Sequence, residues 1–198
     1  MTAAAPAEPD TRARLVTATA ALLQRQGYES TSVKAILTEA GATYGSLYHF
    51  FPEGKEQLAA EALRFGAEDF AALLRRGLES SDDLDTAVAN CAIVLAESLR
   101  ESEWLDGCPV AATALEIIGR SPLIQQASDE SLNAWRALIA ERLVRGGVPA
   151  HAAADLACTI LSTLEGAELI SRVAGDDEAL RIAATHLRLL TAAVRQSA

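Results

Sequence analysis

The chain of 198 residues has little cysteine, little lysine, one methionine and few aromatics. Cys91, Cys108 and Cys158 are widely scattered, with no C-x-x-C and no histidine or cysteine at zinc-ligand spacing. That excludes a disulfide framework and a structural zinc site. It fits reduced thiols packed as small hydrophobes. Long apolar runs are missing too. Uncharged stretches such as residues 86–96 fall well short of the about 18 residues a membrane span needs. Residues 1–10 lack the basic region and apolar stretch of a secretory signal, and with Pro6 and Pro9 they read as a short disordered tail. No membrane partner and a cytoplasmic location are expected. Catalytic signatures are equally scarce. There is no G-x-S-x-G, no P-loop and no glycine-rich dinucleotide pattern. A Ser/His/Asp arrangement assembled in space stays open, but the expectation is a protein that is not an enzyme, with no cofactor and no metal.

What is present is globular and helical. Half of the residues are apolar, 22% are charged and the mean hydropathy is +0.14. Alanine and leucine dominate while aromatics reach only 5%, which points to an all-α fold. The formal charge of −10 opposes indiscriminate nucleic-acid binding by the whole molecule. Residues 1–60 carry five Lys+Arg (Arg12, Arg14, Arg25, Lys34, Lys55) against six Asp+Glu, net −1, and the rest of the chain carries net −9. Lys34, Lys55 and the arginines on one face would give the near-neutral head a local attraction for DNA.

Helix punctuation is clear throughout. Residues 11–26 show helical spacing and end at Gly27. Ser32 can cap a short helix over 33–40, with Gly41 as its stop. After a tight turn a second short helix runs over about 44–50, before Pro52. Two short helices separated by a glycine-containing turn, after a longer one, form the layout of a helix-turn-helix. The spacing predicts further helices over about 55–78, from 82 or 83 through an apolar stripe that reaches Leu99, before a loop at 104–107, and then over 109–118, 122–144, 150–174 and 177–195, about nine in all. Three parts follow: a tail at 1–10, a three-helix head at 11–57, and a helical ligand-binding and dimerisation bundle at 58–198.

The head carries Thr31-Ser32-Val33-Lys34-Ala35-Ile36-Leu37, then Ala40-Gly41-Ala42-Thr43-Tyr44-Gly45-Ser46-Leu47-Tyr48-His49-Phe50-Phe51-Pro52 and Gly54-Lys55-Glu56-Gln57-Leu58. This stretch resembles the TetR family of one-component transcriptional regulators. Two departures are visible: Leu37 where the family usually has alanine, and one extra residue before Lys55. That longer segment, with Gly107-Cys108-Pro109-Val110-Ala111-Ala112 and Leu164-Glu165-Gly166-Ala167, resembles the LmrA/YxaF branch. The resemblance implies a repressor that binds palindromic double-stranded operator DNA as a homodimer and is released by a small apolar or aromatic effector.

A recognition helix enters the major groove with its N-terminal residues at base edges, which singles out Thr43, Tyr44, Gly45 and Ser46. Hydroxyls can bond bases or phosphates, and the Tyr44 ring can meet a thymine methyl. Gly45 either admits a close backbone approach or serves turn geometry alone. Tyr48, His49 and Lys55 can reach phosphates, as can Thr31 and Ser32 beside a helix N-terminus. Ser32 is alternatively a cap and nothing more. The resemblance places phosphate contacts at Thr31, Tyr48, His49 and Lys55.

In the body an apolar pocket between helices is the default ligand site. Phe65, Phe70, Trp104, Ile118, Trp135 and Leu161 are candidates, with Thr113, Glu116 and Glu165 as polar handles. Each is alternatively plain core or solvated surface. The final helix carries two apolar stripes, Leu180-Ala183-Leu187-Leu190-Val194 and Ile182-Leu189-Ala193. A helix apolar on two sides is buried on two sides. The extra face meets a second subunit, or both faces are buried within one protomer. A helical enzyme that merely contains a helix-turn-helix, or an adaptor that binds protein through the acidic body, are competing readings that operator binding separates.

Overall fold

Side-chain caps start most of the helices. In the computed structural model, which describes residues 10–197, the Ala13 N–H donates to Asp10 Oδ1 (2.7 Å) and opens α1 (Thr11–Gln26). Asp10 is thus a helix cap rather than part of the tail; residues 1–9 lie outside the described residues. Ser32 caps α2 (Val33–Ala40) through the Ala35 N–H (3.1 Å), and Thr43 caps α3 (Tyr44–Phe50) through the Ser46 N–H (3.2 Å). Gly41 joins the two in the left-handed conformation, φ +58°, where a Cβ would add strain.

The long α4 (Lys55–Leu78) follows, then α5 (Leu84–Glu101), capped by Asp83. Pro109 and Pro122 occupy the first positions of α6 (Pro109–Ile117) and α7 (Pro122–Arg145), where their missing N–H is harmless. The chain closes with α8 (Ala150–Ala174) and α9 (Glu178–Gln196). The described residues form nine helices and no strand, as expected from the punctuation, with every boundary within about two residues.

Two apolar cores organise the molecule. The first joins α1 to α3 through Leu15, Leu23, Ile36, Leu47 and Phe51, all at most 1% exposed. It does not end at residue 57. Leu58 and Leu63 of α4, Ile117 of α6 and Ile124 of α7 complete it. The second core lies in the bundle around Leu74, Leu95, Trp135, Ile139, Leu164 and Leu187. Since α4 contributes to both, the two cores share a rigid member.

The two stripes of α9 separate, except that Leu190 of the first is 36% exposed. Leu180, Ala183 and Leu187 are buried against the bundle of the same protomer, with α5 as the main neighbour. Ile182 and Leu189 are 53% and 56% exposed. On α8, Leu169, Ile170 and Val173 are exposed as well. Burial of both stripes within one protomer is therefore excluded, and it is the Ile182–Leu189 stripe that lacks a partner.

Candidate nucleic-acid interface and the body behind it

The recognition surface is built by α3. Leu47 is wholly buried and anchors the helix in the first core, while Tyr44 and Tyr48 stand 56% and 54% exposed. Thr43, Gly45 and His49 are also exposed, and Ser46 is half-buried. The Thr43 and Ser46 hydroxyls lie 2.9 Å apart in a mutual hydrogen bond, so the two present one joint polar group at the helix start. Gly45 sits inside the helix with no positive φ, and a Cβ there would meet nothing closer than Thr43 Oγ1 at 3.8 Å. Turn geometry therefore does not require a glycine at this position.

Ser32 is exposed at the N-terminus of α2 and acts as its cap. Thr31 differs from expectation. Its side chain is fully buried, its hydroxyl donates to the Gly27 carbonyl (2.7 Å) and its N–H donates to the Tyr28 carbonyl (3.1 Å). Both donors are taken, so Thr31 shapes the turn behind the surface and offers no side chain to a phosphate.

Lys55 also has an internal task. Its ammonium donates to the Tyr28 carbonyl (2.7 Å) and lies 3.7 Å from the centre of the Tyr28 ring. Burial holds its pKa below the usual lysine value, against the pull of Glu29 and Glu116.

The arginines do not gather at the interface. Arg12 pairs with Glu61 and covers the Phe51 ring, Arg25 pairs with Asp106 (2.8 Å), and Arg14 Nε donates to the Ala40 carbonyl (3.0 Å). Lys34 is exposed. The exposed face of α2 and α3 thus presents hydroxyls and helix N-termini more than cations.

The body residues singled out from sequence do not converge on one site. Phe65 and Ile118 are 45% and 59% exposed, because α4 and the end of α6 turn them outward. Phe70 and Trp135 are buried against each other with ring centres 4.4 Å apart, and Trp135 Nε1–H donates to the Ala67 carbonyl (2.9 Å). Both are core residues, although an edge of Trp135 reaches a hollow of about 220 Å³ between α4 and α7. Leu161 is core as well. Thr113 is fully buried with its hydroxyl unpartnered. Trp104, at φ +66° in the loop before α6, lines a hollow of about 450 Å³ with Leu105 and Val173. Glu165 alone of the nine lines a cavity of about 70 Å³ between α6 and α8.

Two residues here carry more than sequence reasoning gave them. Glu168 faces the same cavity and is 6% exposed. The signal was available: Glu168 falls on the buried arc of α8, one turn beyond Leu164. Glu116 is not a polar handle of a pocket. Its Oε2 accepts from the N–H groups of Tyr28 (2.6 Å) and Glu29 (3.0 Å) in the turn between α1 and α2. A Cβ at Gly27 would meet both Glu116 oxygens at 2.7 Å, so the clamp fits only against glycine, at φ +73°. The C-terminal end of α6 is thereby tied to the turn that leads into the helix-turn-helix.

A head of this shape on a helical bundle defines a helix-turn-helix DNA-binding regulator. Residues 15–62 match the family model for bacterial regulatory proteins of the tetR family, and residues 85–186 match that for the C-terminal domain of LmrA/YxaF-like transcriptional regulators. The chain belongs to the TetR family, in its LmrA/YxaF-like branch. It is 30% identical to the HTH-type transcriptional regulator YxaF of Bacillus subtilis over 181 residues, covering 91% of this chain and 95% of that one. It is 30% identical to LmrA of the same organism over 165 residues (83% and 88%). Among solved structures, a TetR transcriptional regulator from Chloroflexus aurantiacus superposes with a TM-score of 0.76 at 30% identity over 92% of this chain and 94% of that one.

Proposed function

We propose that the chain is a cytoplasmic, homodimeric repressor that leaves its palindromic operator when a small, largely apolar or aromatic effector enters the body. The observation that carries this reading is α3. A helix anchored by one buried leucine displays two half-exposed tyrosines beside an exposed, joined Thr43–Ser46 hydroxyl pair, of which Thr43 also caps the helix. Side chains of this kind read base edges and phosphates. In this reading Thr43, Tyr44 and Ser46 face bases. The bare backbone at Gly45 lets the helix approach closely. Ser32, Tyr48, His49 and the remaining ammonium hydrogens of Lys55 meet phosphates.

The exposed apolar stripe of α9 with Leu169, Ile170 and Val173 of α8 is the dimer seam. It sets two recognition helices one helical turn or somewhat more apart. Two links connect body to head: α4, which belongs to both cores, and the Glu116 clamp. A ligand that displaces α6 or α4 changes the spacing of the two heads, so ligand and DNA oppose each other and each weakens the other by the same factor.

Selection of bound duplexes from a randomised pool, followed by ultracentrifugation of the complex, tests the reading. A palindrome bound by two protomers is expected. Recovery of no preferred sequence, or of a single half-site bound by one protomer, overturns it.

A further inference from the structure

Helix α8 carries Glu165, Glu168 and Ser171 at successive turns, and each has a buried oxygen without a hydrogen-bond partner: Glu165 Oε1, Glu168 Oε2 and Ser171 Oγ. Glu168 and Ser171 are 6% and 0% exposed. The two carboxyl groups line the cavity of about 70 Å³ opposite Cys108 and Ala111 of the α6 start. Its wall is rich in acceptors and poor in donors. Arg172 borders the same cavity but turns its guanidinium to the carbonyls of Arg25 (3.0 Å) and Leu105 (2.5 Å), and among the described residues it makes no ion pair with either glutamate.

A carboxylate buried this way must meet a donor or take up a proton. Burial pushes Glu165 up to about 7, the Cys108 thiol opposing. Burial and the charge of Glu165 push Glu168 up to about 8, Arg172 opposing. An anionic ligand is repelled here, and a purely apolar one leaves the oxygens unpaired. The volume is roughly twice a water molecule's share of the liquid, enough for a small charged group and not for a whole effector. Through Leu169 and Arg172 the cavity adjoins the larger hollow under Trp104.

Resting on the effector-controlled reading above, we propose that this cavity is the polar end of the effector site and takes a small organic cation, whose ammonium or amidinium nitrogen donates to Glu165 and Glu168 while its apolar body lies against Trp104 and Leu169. The cation enters at the first turn of α6. At the last turn of the same helix Glu116 holds the head, so displacement of α6 by the ligand pulls directly on the α1–α2 turn.

Calorimetric titration of the whole protein with 2-naphthylmethylamine and its uncharged counterpart 2-naphthylmethanol tests this. The amine binds at least about tenfold more tightly, as expected for hydrogen bonds to charged groups. Glu168→Gln, nearly equal in shape, abolishes that preference. In the wild type at pH 7, amine binding releases protons, read from the difference in heat between two buffers, because Glu168, which shares the cavity wall with Glu165, Cys108 and Arg172, must give up its proton to accept from the cation. Equal affinities, no amine binding, an unchanged preference in Glu168→Gln, or no proton release each overturn the proposal. Operator binding without amine separates the two readings. A wild-type protein that selects a palindrome yet holds amine and alcohol alike remains a regulator and loses this site.

Discussion

Head and body differ in how completely their buried polar groups find partners, even though body donors such as Ser128, Ser131 and Thr191 are satisfied. In the head, the buried hydroxyls of Thr19 and Thr31 each donate to a carbonyl at 2.7 Å. The five buried side-chain atoms left without partners among the described residues, on Asp85, Thr113, Glu165, Glu168 and Ser171, all belong to the body. Unsatisfied buried groups weaken a core. A surface that must fit DNA of fixed geometry gains from a fully satisfied, rigid support. In the proposed effector-controlled reading, a body that changes shape with its ligand gains from groups whose partners come from outside.

The largest effect expected is at the seam between protomers. Leu189→Glu buries an unpaired charge on the exposed stripe of α9 and weakens association by several kcal/mol. Ultracentrifugation should show monomers that no longer retain operator, with unchanged helical circular dichroism. Leu187→Glu is a different experiment, because Leu187 belongs to the protomer's own core. It should unfold the body rather than divide the dimer.

A smaller effect sharpens the contrast in polar satisfaction. The folded-state pKa of Glu168 lies above its unfolded value, so folding binds a proton as pH rises from about 4.5 to about 8. Stability is full below the unfolded pKa and falls across that window by an amount on the order of a few kcal/mol. Chemical denaturation at pH 5 and pH 8 should show the decline, and Glu168→Gln should flatten most of it. Glu165, raised to about 7, adds a shallower loss in the same direction.

Next comes the link between the regions. Glu116→Ala removes the charged acceptor of two backbone donors and should cost about 2 kcal/mol of local stability. Amide exchange at Tyr28 and Glu29 should accelerate at least about tenfold, with little change in the bundle. Unchanged exchange would mean that the clamp does not hold the turn.

The smallest effects belong to the DNA surface itself. Tyr44→Phe removes one hydroxyl and should relax preference at one base pair by about 1 kcal/mol. With Lys34 and Lys55 as the cations least committed elsewhere, a dimer neutralises about four phosphates by charge. The plot of log affinity against log salt should be no steeper than about −4. A much steeper slope would show that Arg12, Arg14 or Arg25 leaves its internal partner on binding.

Many helices were legible because they carry their own punctuation, Ser32 and Asp83 at their starts, Pro109 and Pro122 as first residues and Gly41 as a stop, whereas the caps at Asp10, Thr43 and Ser121 emerge only with the structure. The recognition helix was legible because it is the second short helix after a glycine-containing turn, which puts Thr43 to Ser46 at its start. The body site was not. Phe70, Trp135 and Phe65 share the aromatic character of pocket linings, yet their burial depends on which side of α4 and α7 meets which neighbour, and no local pattern states that. Arg12, Arg25 and Glu116 could be named as charges, but partners 49, 81 and 87 or 88 positions away appear only after folding.

The shared first core has a consequence for building hybrids. Ile117, Ile124 and Ala127 are as much part of it as Leu15 or Leu47, and Glu116 closes it from outside. A recombinant that exchanges only residues up to 57 for those of a relative transplants an interface cut through its middle. Grafts that also carry the facing positions of α6 and α7 would keep both sides of the joint. In this architecture the transferable unit is a noncontiguous set of residues, and a donor's specificity would travel only with its docking surface.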